Sequence, residues 1–321
     1  MSGSANADAA IDARTIVPIM RKHGYSNAYG SMISAASSMI APIMPPSIGL
    51  IVYGLVTDTS VGRLFIGGIV PAFLIAFTLM AMVRWSAGRR GYVPAREQRA
   101  SLREVGRFAR LSLWALAMPV LLLFGLRIGW FTPTELGAIA AVYAFIVGVL
   151  VYRGFRWRDS YELLRESAHT TANVMFILAA ASVFSLILSL EQIPQHLVTT
   201  LLTLSDNKYV LLLLINVLLL ILGTIFDGLA LMIILGPMLL QVTQSLGVDP
   251  VHFGVVLVFN TTIGSLTPPL GTVMYTVCSI TRCSVEEFTE FLPYLAAMIA
   301  VLLMLTFMPP LVTFLPTLLF G

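Results

Sequence analysis

A doubled proline interrupts apolar sequence twice in this chain, in SSMIAPIMPPSIGLIVYG at residues 37–54 and in NTTIGSLTPPLGTVMY at residues 260–275. Each doublet follows a short run of polar and small residues, from Ser37 in the first copy and from Asn260 in the second. A proline inside a helix removes an N–H donor and clashes with the carbonyl four residues before it. The two stretches therefore predict two helices that are interrupted at matching positions.

The spacing before the two doublets also repeats. The matched markers are Asp8, Pro18, Gly24 and Pro45 in the first copy, and Asp227, Pro237, Gly247 and Pro268 in the second. The interval from aspartate to proline is ten residues in both copies, and the interval from glycine to the double proline is 21. Only the middle interval differs, by four residues. We therefore interpret the chain as two structural repeats and align Asp8 with Asp227.

The composition indicates a membrane protein. Hydrophobic residues make up 58% of the 321 residues and charged residues only 11%, which is too few for a soluble domain of this size. Uncharged runs of membrane length recur, for example at residues 64–83 and 228–248. The runs are continuous and do not alternate as membrane strands do. A spanning helix needs about 20 apolar residues, so we predict an all-α polytopic membrane protein with about eight to ten helical segments.

Arginine-rich loops predict the orientation. The loop at 84–110 carries eight arginines against two glutamates, and basic residues also cluster at 21–22 and 153–165. These three clusters fall on one side when the crossings are counted, and the positive-inside rule makes that side cytoplasmic. Residues 2–6 and the Asp227 region then become the tips of two re-entrant helical hairpins, because an aspartate in mid-membrane needs a buried turn. The hairpins enter from opposite faces, so the repeats are inverted.

This topology predicts a moving domain and a scaffold. The predicted transport domain comprises residues 1–57, with the second arm of hairpin 1 and the first broken helix, and residues 209–281, with hairpin 2 and the second broken helix. The predicted scaffold comprises residues 58–208, with cytoplasmic amphipathic segments, and a C-terminal helix within residues 282–321.

Three local patterns carry predictions of their own. Segments 100–110 and 153–168 are amphipathic and predict helices on the cytoplasmic surface, with charged linkers as the alternative. Residues 291–317 predict one crossing. The TPTE sequence at residues 132–135 predicts a helix start, with the first threonine as N-cap, the proline as first helical residue and the glutamate closing a capping box.

The double prolines would leave backbone oxygens without donors. The first pair frees the carbonyls of Ala41 and Pro42, and the second pair those of Gly264 and Ser265. Orphan groups in hydrocarbon cost several kcal/mol each unless something satisfies them. Unwound backbone in transporters coordinates Na⁺ for this reason. Further oxygen ligands are predicted at Ser4 and Asn6 from the first tip, Thr224, Asp227 and Gly228 from the second tip, and Thr267 from the second break.

The half-helices after the prolines would direct their N-termini at one centre, which suits an anionic substrate group. The candidates for substrate contact are Ser37, Ser38, Asn260 and Thr261. The histidines and cysteines show no metal spacing, so no transition metal or other cofactor is predicted and Na⁺ is the only expected ion. No nucleotide-binding glycine loop and no catalytic motif occurs, so we predict that the chain is not an enzyme.

Five stretches of this sequence together resemble the large membrane subunit of the tripartite ATP-independent periplasmic (TRAP) transporters. The matching stretches are SGSANADAA (2–10), SSMIAPIMPPSIGLIVYG (37–54), FTPTELGAIAAVYA (131–144), FDGLALMIILGP (226–237) and GVDPVHFGVVLVFNTTIGSLTPPLGTVMY (247–275). The resemblance extends along most of the chain and is specific in combination.

The resemblance implies Na⁺-driven uptake of an organic acid, of the dicarboxylate or sialic acid type, across the bacterial inner membrane by an elevator movement. It implies two protein partners, a periplasmic substrate-binding protein and a small membrane subunit. The family's sodium shells would map onto Ser4, Asn6, Ala41, Met44 and Pro46 for one site, and onto Asp227, Gly228, Gly264, Thr267 and Pro269 for the other. It also implies further helices upstream, so we expect this chain to lack the first arm of hairpin 1.

Other interpretations stay open at this point. The chain could be a related sodium/anion permease that needs no binding protein, or a truncated fragment that cannot transport. An intramembrane enzyme would use Asp8 and Asp227 as a carboxylate pair, although each aspartate is better explained by a hairpin turn. The net charge of +3 comes from loops and does not indicate nucleic-acid binding.

Overall fold

The computed structural model describes residues 3–92, 101–128, 131–154, 159–192, 196, 207–288 and 292–321, and this part of the chain is helical without strands. The α-helices are α1 (Ala5–Lys22), α2 (Asn27–Ser38), α3 (Ile48–Thr57), α4 (Val61–Arg89), α5 (Leu102–Leu111), α6 (Leu113–Ile128), α7 (Pro133–Ile146), α8 (Ser160–Leu190), α9 (Lys208–Gly223), α10 (Gly228–Ser245), α11 (Pro250–Gly264), α12 (Thr272–Thr281), α13 (Val285–Phe288), α14 (Leu292–Phe307) and α15 (Pro310–Phe320). A π-helix at Val147–Val151 extends α7.

Two helices, α4 and α10, are long and apolar enough to cross a membrane unaided, by length and composition and among the described residues. Two bent pairs reach that length together, Leu102–Leu122 with a bend of 64° and Leu292–Phe320 with a bend of 51°. Five further apolar helices in the described part of the chain are shorter, at 10–17 residues, so the expected number of eight to ten segments stays a prediction. The helices beside two of the breaks, between α2 and α3 and between α14 and α15, are short because proline doublets interrupt the chain there.

The chain divides into two compact units. The smaller unit, Pro94–Ala180, holds α5 to α7 and most of α8. In it, α6 packs on α7 through Leu122, Leu136 and Ala140. The TPTE prediction is confirmed, since the Thr132 hydroxyl accepts from the N–H of Glu135 at 3.3 Å and the Thr132 N–H donates to the glutamate at 2.7 Å. This backbone hydrogen bond lowers the pKa of the Glu135 carboxyl.

The larger unit, Met1–Val93 with Ala181–Gly321, contains both repeats. Its helices α1 and α10 are each 18 residues long and start 223 positions apart, at Ala5 and Gly228. The N-caps of α2 and α11, Ser26 and Asp249, keep the same offset. A single offset thus relates the two copies from the arms to the proline doublets.

This constant offset corrects the alignment of Asp8 with Asp227. Asp227 is the N-cap of α10, whereas the N-cap of α1 is Ser4 and Asp8 lies in the first turn. The structural counterpart of Asp227 is therefore Ser4. The four-residue mismatch disappears because Pro18 and Pro237 occupy different turns of their helices, and their shared interval from an aspartate is a coincidence.

The two repeats exchange partners in the packing. Helix α1 packs on α2 of its own repeat and on α12 of the other, while α10 packs on α11 of its own repeat and on α3 of the other. Helix α11 is buried from Val251 to Gly264 and also contacts α4, α9 and α14. Helices α1 and α10 therefore each contact the first half of one broken helix and the second half of the other.

Three sequence predictions need correction or stay open. The predicted crossing at 291–317 consists of two helices, α14 and α15, bent by 51° at Pro309-Pro310, a third doublet, and a single broken crossing stays a prediction. Residues 160–168 are not a separate surface helix, because α8 continues through them to Leu190. The predicted division into transport domain and scaffold stays a prediction, although α4, α14 and α15 belong to the same unit as the broken helices.

Several residues within the ranges given in the sequence analysis lie outside the described part of the chain. They are Ser2 of the first hairpin tip, the linker residues 193–195 and 197–206, and the arginines Arg96, Arg99, Arg156 and Arg158.

The close approach of α4 to the first break makes a stability prediction. A Cβ at Gly68 would lie 2.3 Å from the carbonyl oxygen of Ile43, whereas a Cβ at Gly88 on the same helix meets nothing within 4 Å. We expect Gly68→Ala to destabilise the folded protein by about 1–3 kcal/mol, as overpacking does. Gly88→Ala should be neutral or add up to about 1 kcal/mol through helix propensity. Thermal unfolding in detergent measures both, and equal melting temperatures for the two variants would contradict the packing.

Candidate functional site

The first break connects α2 to α3 through residues 39–47. Turn hydrogen bonds shape it, among them those from the N–H of Ala41 to Ser38 O at 3.2 Å and from the N–H of Met44 to Ile40 O at 2.9 Å. Beyond the prolines, the Ser47 hydroxyl donates to the carbonyl of Pro42 and accepts from the N–H of Leu50 as the N-cap of α3. The prediction of a free Pro42 carbonyl is therefore wrong, because a serine side chain replaces the missing backbone donor.

The second break connects α11 to α12 and uses backbone donors instead. The N–H of Thr267 donates to Gly264 O at 3.0 Å, and the N–H of Val273 donates to Ser265 O at 3.0 Å. Both carbonyls were expected to be free, and both have a protein donor, because the chain turns back on itself within the break. A carbonyl oxygen has two lone pairs, so each of them retains one.

The first hairpin tip lies directly against the first break. The N–H of Ile48 donates to the carbonyl of Gly3 at 3.4 Å. Gly3 has φ +72°, and a Cβ there would lie 2.7 Å from the carbonyl oxygen of Pro46. Only glycine fits this position, both for its left-handed backbone and for its closeness to Pro46. Ser4, the next residue, is thereby held beside the break.

The second tip meets the second break in a similar way. The N–H of Leu270 donates to the carbonyl of Thr224 at 3.2 Å. A Cβ on Gly264 would lie 2.6 Å from the Cα of Gly223, and one on Gly228 would lie 3.4 Å from the Cβ of Thr261. The close backbone contact between the end of α9 and the end of α11 therefore requires glycine at position 264, whereas a Cβ at Gly228 would make ordinary contact with α11.

Two side chains near the tips differ in how their oxygens are used. The Oδ1 atom of Asn6 is buried and has no hydrogen-bond partner among the described residues. The Oδ1 atom of Asp227 accepts from the N–H groups of Leu229 at 2.9 Å and Ala230 at 3.4 Å. Asp227 is therefore a helix cap, and Asn6 presents an oxygen that the protein leaves unsatisfied.

The threonines of the second half keep acceptor capacity. The hydroxyl of Thr267 donates to Ile263 O at 2.8 Å, and that of Thr224 donates to Ile221 O at 2.8 Å. Their lone pairs carry no protein donor in these bonds. These contacts place Gly3 against Pro46 in the first break and Thr224 against Leu270 in the second break. The grouping of Ser4 and Asn6 with Ala41, Met44 and Pro46, and of Thr224, Asp227 and Gly228 with Gly264, Thr267 and Pro269, stays a prediction.

The substrate candidates are more deeply buried than the sequence suggests. Asn260 is completely buried, and its Nδ2 donates to the carbonyl at 3.0 Å and the side chain at 2.8 Å of Asn216. Ser38 and Thr261 donate to carbonyls of their own helices. Ser37 is half-buried and donates to Asp12 Oδ2 at 3.2 Å.

Sequence reasoning missed the partners of these residues. Asn216 on α9 donates to the Thr306 hydroxyl on α14 at 2.9 Å and so joins three helices in one buried polar network with Asn260. Asp12 on α1 faces Ser37 on α2. An asparagine or aspartate inside an apolar run was the signal available in the sequence.

A model of one protein family matches residues 1–311, described as "Tripartite ATP-independent periplasmic transporter, DctM component". The chain belongs to this family. No group of three or more histidine, cysteine, aspartate or glutamate side chains able to hold a metal ion occurs within the residues that the structure describes.

Relatives in several bacteria are similar along nearly the whole chain. The sialic acid TRAP transporter large permease protein SiaM of Vibrio cholerae is 39% identical over all of this chain and 75% of its own length. The C4-dicarboxylate TRAP transporter large permease protein DctM of Pseudomonas aeruginosa is 36% identical over 96% of this chain and 72% of its own length. The 2,3-diketo-L-gulonate TRAP transporter large permease protein YiaN of Escherichia coli is 34% identical over 97% and 73%.

Family membership decides the class of protein. The chain is a multi-pass helical protein of the bacterial inner membrane and a TRAP transporter permease component. This family is one of transporter permeases and not of enzymes, and the cap role of Asp227 removes the main reason for pairing it with Asp8 as a catalytic carboxylate.

The cap at Asp227 makes a testable prediction. Asparagine caps helices about as well as aspartate, whereas alanine does not. We expect Asp227→Ala to lose about 1 kcal/mol of local stability and Asp227→Asn to retain most of it. Hydrogen exchange at the amides of Leu229 and Ala230 measures this loss. Equal protection in the alanine and asparagine variants would show that the carboxylate does not cap α10.

Proposed function

We propose that this chain is the large membrane subunit of a sodium-coupled secondary transporter that imports an organic acid delivered by a periplasmic binding protein. The supporting observation is the pair of tip-and-break contacts, Gly3 with Pro46 and Ile48, and Thr224 with Leu270, in repeats related by one offset. Two interrupted helices facing two helical tips form the arrangement in which transporters bind substrate and coupling ions.

The ion would bind at oxygens that the fold itself supplies. The fit at the first site is supported by the Asn6 Oδ1 atom, which is buried and accepts no hydrogen bond from any described residue. Ser4 and the carbonyls of Ala41, Met44 and Pro46 would complete that shell. The second site would use the Asp227-Gly228 turn with Gly264, Thr267 and Pro269. An oxygen-only ligand set suits a hard cation and leaves no place for a soft transition metal.

The substrate would be an organic anion. The relatives named above are described as permeases for sialic acid, C4-dicarboxylate and 2,3-diketo-L-gulonate, all of which are acids. Helices α3 and α12 begin directly after the breaks, and helix N-termini attract anions. Ser37, Ser38, Asn260 and Thr261 stay candidates for substrate contact. Inward movement of Na⁺ at about 100 mV supplies roughly 2.3 kcal/mol per net charge for uptake.

Transport would proceed by an elevator movement of the two hairpins with the two broken helices. The two hairpins would be re-entrant and enter from opposite faces, with the basic loops cytoplasmic. The exchange of partners between the repeats supports movement as one body, because α1 and α10 each bind halves of both broken helices. A small membrane subunit and a periplasmic substrate-binding protein would be the other two components of a tripartite system.

Sodium dependence of uptake tests the ion sites. We expect Ser4→Ala and Thr267→Ala to raise the Na⁺ concentration needed for half-maximal uptake about tenfold, since each removes a ligand oxygen worth roughly 1–1.5 kcal/mol. The matched controls are Thr15→Ala and Thr276→Ala, whose hydroxyls also donate to the carbonyl four residues earlier but lie away from the breaks. Uptake that proceeds unchanged without Na⁺ would reject the coupling, and equal Na⁺ dependence in all four variants would reject the sites.

Delivery by a partner is tested separately with the reconstituted complex. We expect no accumulation of a radiolabelled acid unless its periplasmic binding protein is present on the outer side, because the proposed transporter receives substrate only from that protein. Equal uptake without the binding protein would identify a permease that works alone. A binding protein specific for an unrelated solute is the control.

A further inference from the structure

A cavity of about 260 Å³ lies where the starts of α9 and α11 meet α15, and it belongs to neither break. Its polar lining comes from Lys208, Asp249, His252, Thr306, Thr313 and Thr317, with Tyr209 beside them. A Cβ on Gly67 of α4 would contact Val251, Val312 and Pro316, which places this end of the unit near the start of α4. Arg84, Arg89 and Arg90 lie at the other end of that helix.

The imidazole of His252 closes the third proline break. The carbonyl of Leu305 would accept from the N–H of residue 309 in an unbroken helix, but that residue is Pro309 and has no N–H. The Nε2 atom of His252 lies 2.8 Å from this carbonyl. His252 is only 2% exposed, so the imidazole supplies the donor that water cannot.

This hydrogen bond fixes which nitrogen carries the proton. A carbonyl only accepts, so Nε2 is the donor and Nδ1 of the neutral ring is an acceptor. The Nδ1 atom has no partner among the described residues, and the ring lines the cavity. Asp249 adds a second acceptor at the same place, because only its Oδ1 is used to cap α11.

The lining of the cavity therefore contains both hydrogen-bond acceptors and a cation. Two acceptors, His252 Nδ1 and the Asp249 carboxylate, suit a ligand group with several N–H donors and a positive charge, namely a primary ammonium. Lys208, whose Nζ lies 5.4 Å from the Tyr209 ring centroid, suits a neighbouring anion. A lysine beside a tyrosine at a helix start is also typical of the membrane interface.

The surface below the cavity is apolar and exposed. On α9, Leu213 and Leu214 are each 41% exposed, and on α15 Phe314 and Leu318 are more than half exposed. A ligand with a small zwitterionic head and acyl chains would place its head in the cavity and its chains along these two helices. A volume of about 260 Å³ is at the lower end for ligand cavities and suits a head group alone.

The geometry points to a binding site for an aminophospholipid head group, with its ammonium on His252 and Asp249 and its phosphodiester on Lys208. This site contains none of the residues proposed to bind Na⁺ or substrate and does not depend on sodium coupling.

Lipid retention by the purified full chain in its membrane complex tests the site. Delipidated protein is supplied with phosphatidylethanolamine or with its mono-, di- and trimethylated forms, and bound lipid is measured by native mass spectrometry. We expect affinity to fall as methyl groups replace N–H donors, reaching about tenfold weaker binding for phosphatidylcholine. Equal binding of phosphatidylethanolamine and phosphatidylcholine overturns the proposal, and this comparison needs no variant.

Charge variants locate the site within the protein. Asp249→Asn keeps a good helix cap but loses the charge, and Lys208→Gln loses the cation. Both should weaken retention of phosphatidylethanolamine about tenfold, whereas the matched controls Asp58→Asn and Lys22→Gln should not. Retention unchanged in both cavity variants overturns the assignment. Free phosphoethanolamine and inorganic phosphate serve as competitors, and displacement of the lipid by either at equal concentration would indicate a soluble ligand instead.

Discussion

The structure depends on the requirement that every backbone carbonyl in hydrocarbon finds a donor. Three proline doublets remove donors from helices, and each time the fold supplies a specific replacement. The hydroxyl of Ser47 serves the carbonyl of Pro42, the N–H of Thr267 serves Gly264, and the imidazole of His252 serves Leu305. Interrupted helices are thus stable here because the donors were built in, and the remaining oxygens near the breaks are those available to an ion.

The two repeats use different hydrogen-bond donors to satisfy the carbonyls that the prolines free. The first break uses a side chain, and the second uses two backbone N–H groups. Glycine makes both solutions possible, because Gly3 approaches Pro46 and Gly264 approaches Gly223 more closely than any side chain would permit. The two repeats therefore depend on different residues to satisfy their breaks. The oxygens left for an ion differ as well, because the position that matches Asn6 in the second repeat is a leucine, at position 229.

Much of the fold could be predicted because proline and glycine act locally. The interruptions at both repeated doublets and the helix start at Thr132 follow from backbone chemistry within a few residues. Asp8 was aligned wrongly because spacing alone cannot tell a cap from a first-turn residue. The bend at Pro309 was missed because it has no repeated partner, and the link from Asn260 to Asn216 joins residues 44 positions apart. The residues of the candidate ion sites were proposed from chemistry that the sequence displays, whereas the donors that satisfy the breaks depend on the folded chain.

The equal length of α1 and α10 limits where the chain can accept an inserted residue. Each of these helices is 18 residues long and is followed by a glycine with left-handed backbone, Gly24 after α1 and Gly247 after α10. One inserted residue would advance the tip by about 1.5 Å and rotate it by about 100°. Gly3 would then no longer meet Pro46. We therefore expect insertions and deletions to be tolerated in the connections and not in the two arms.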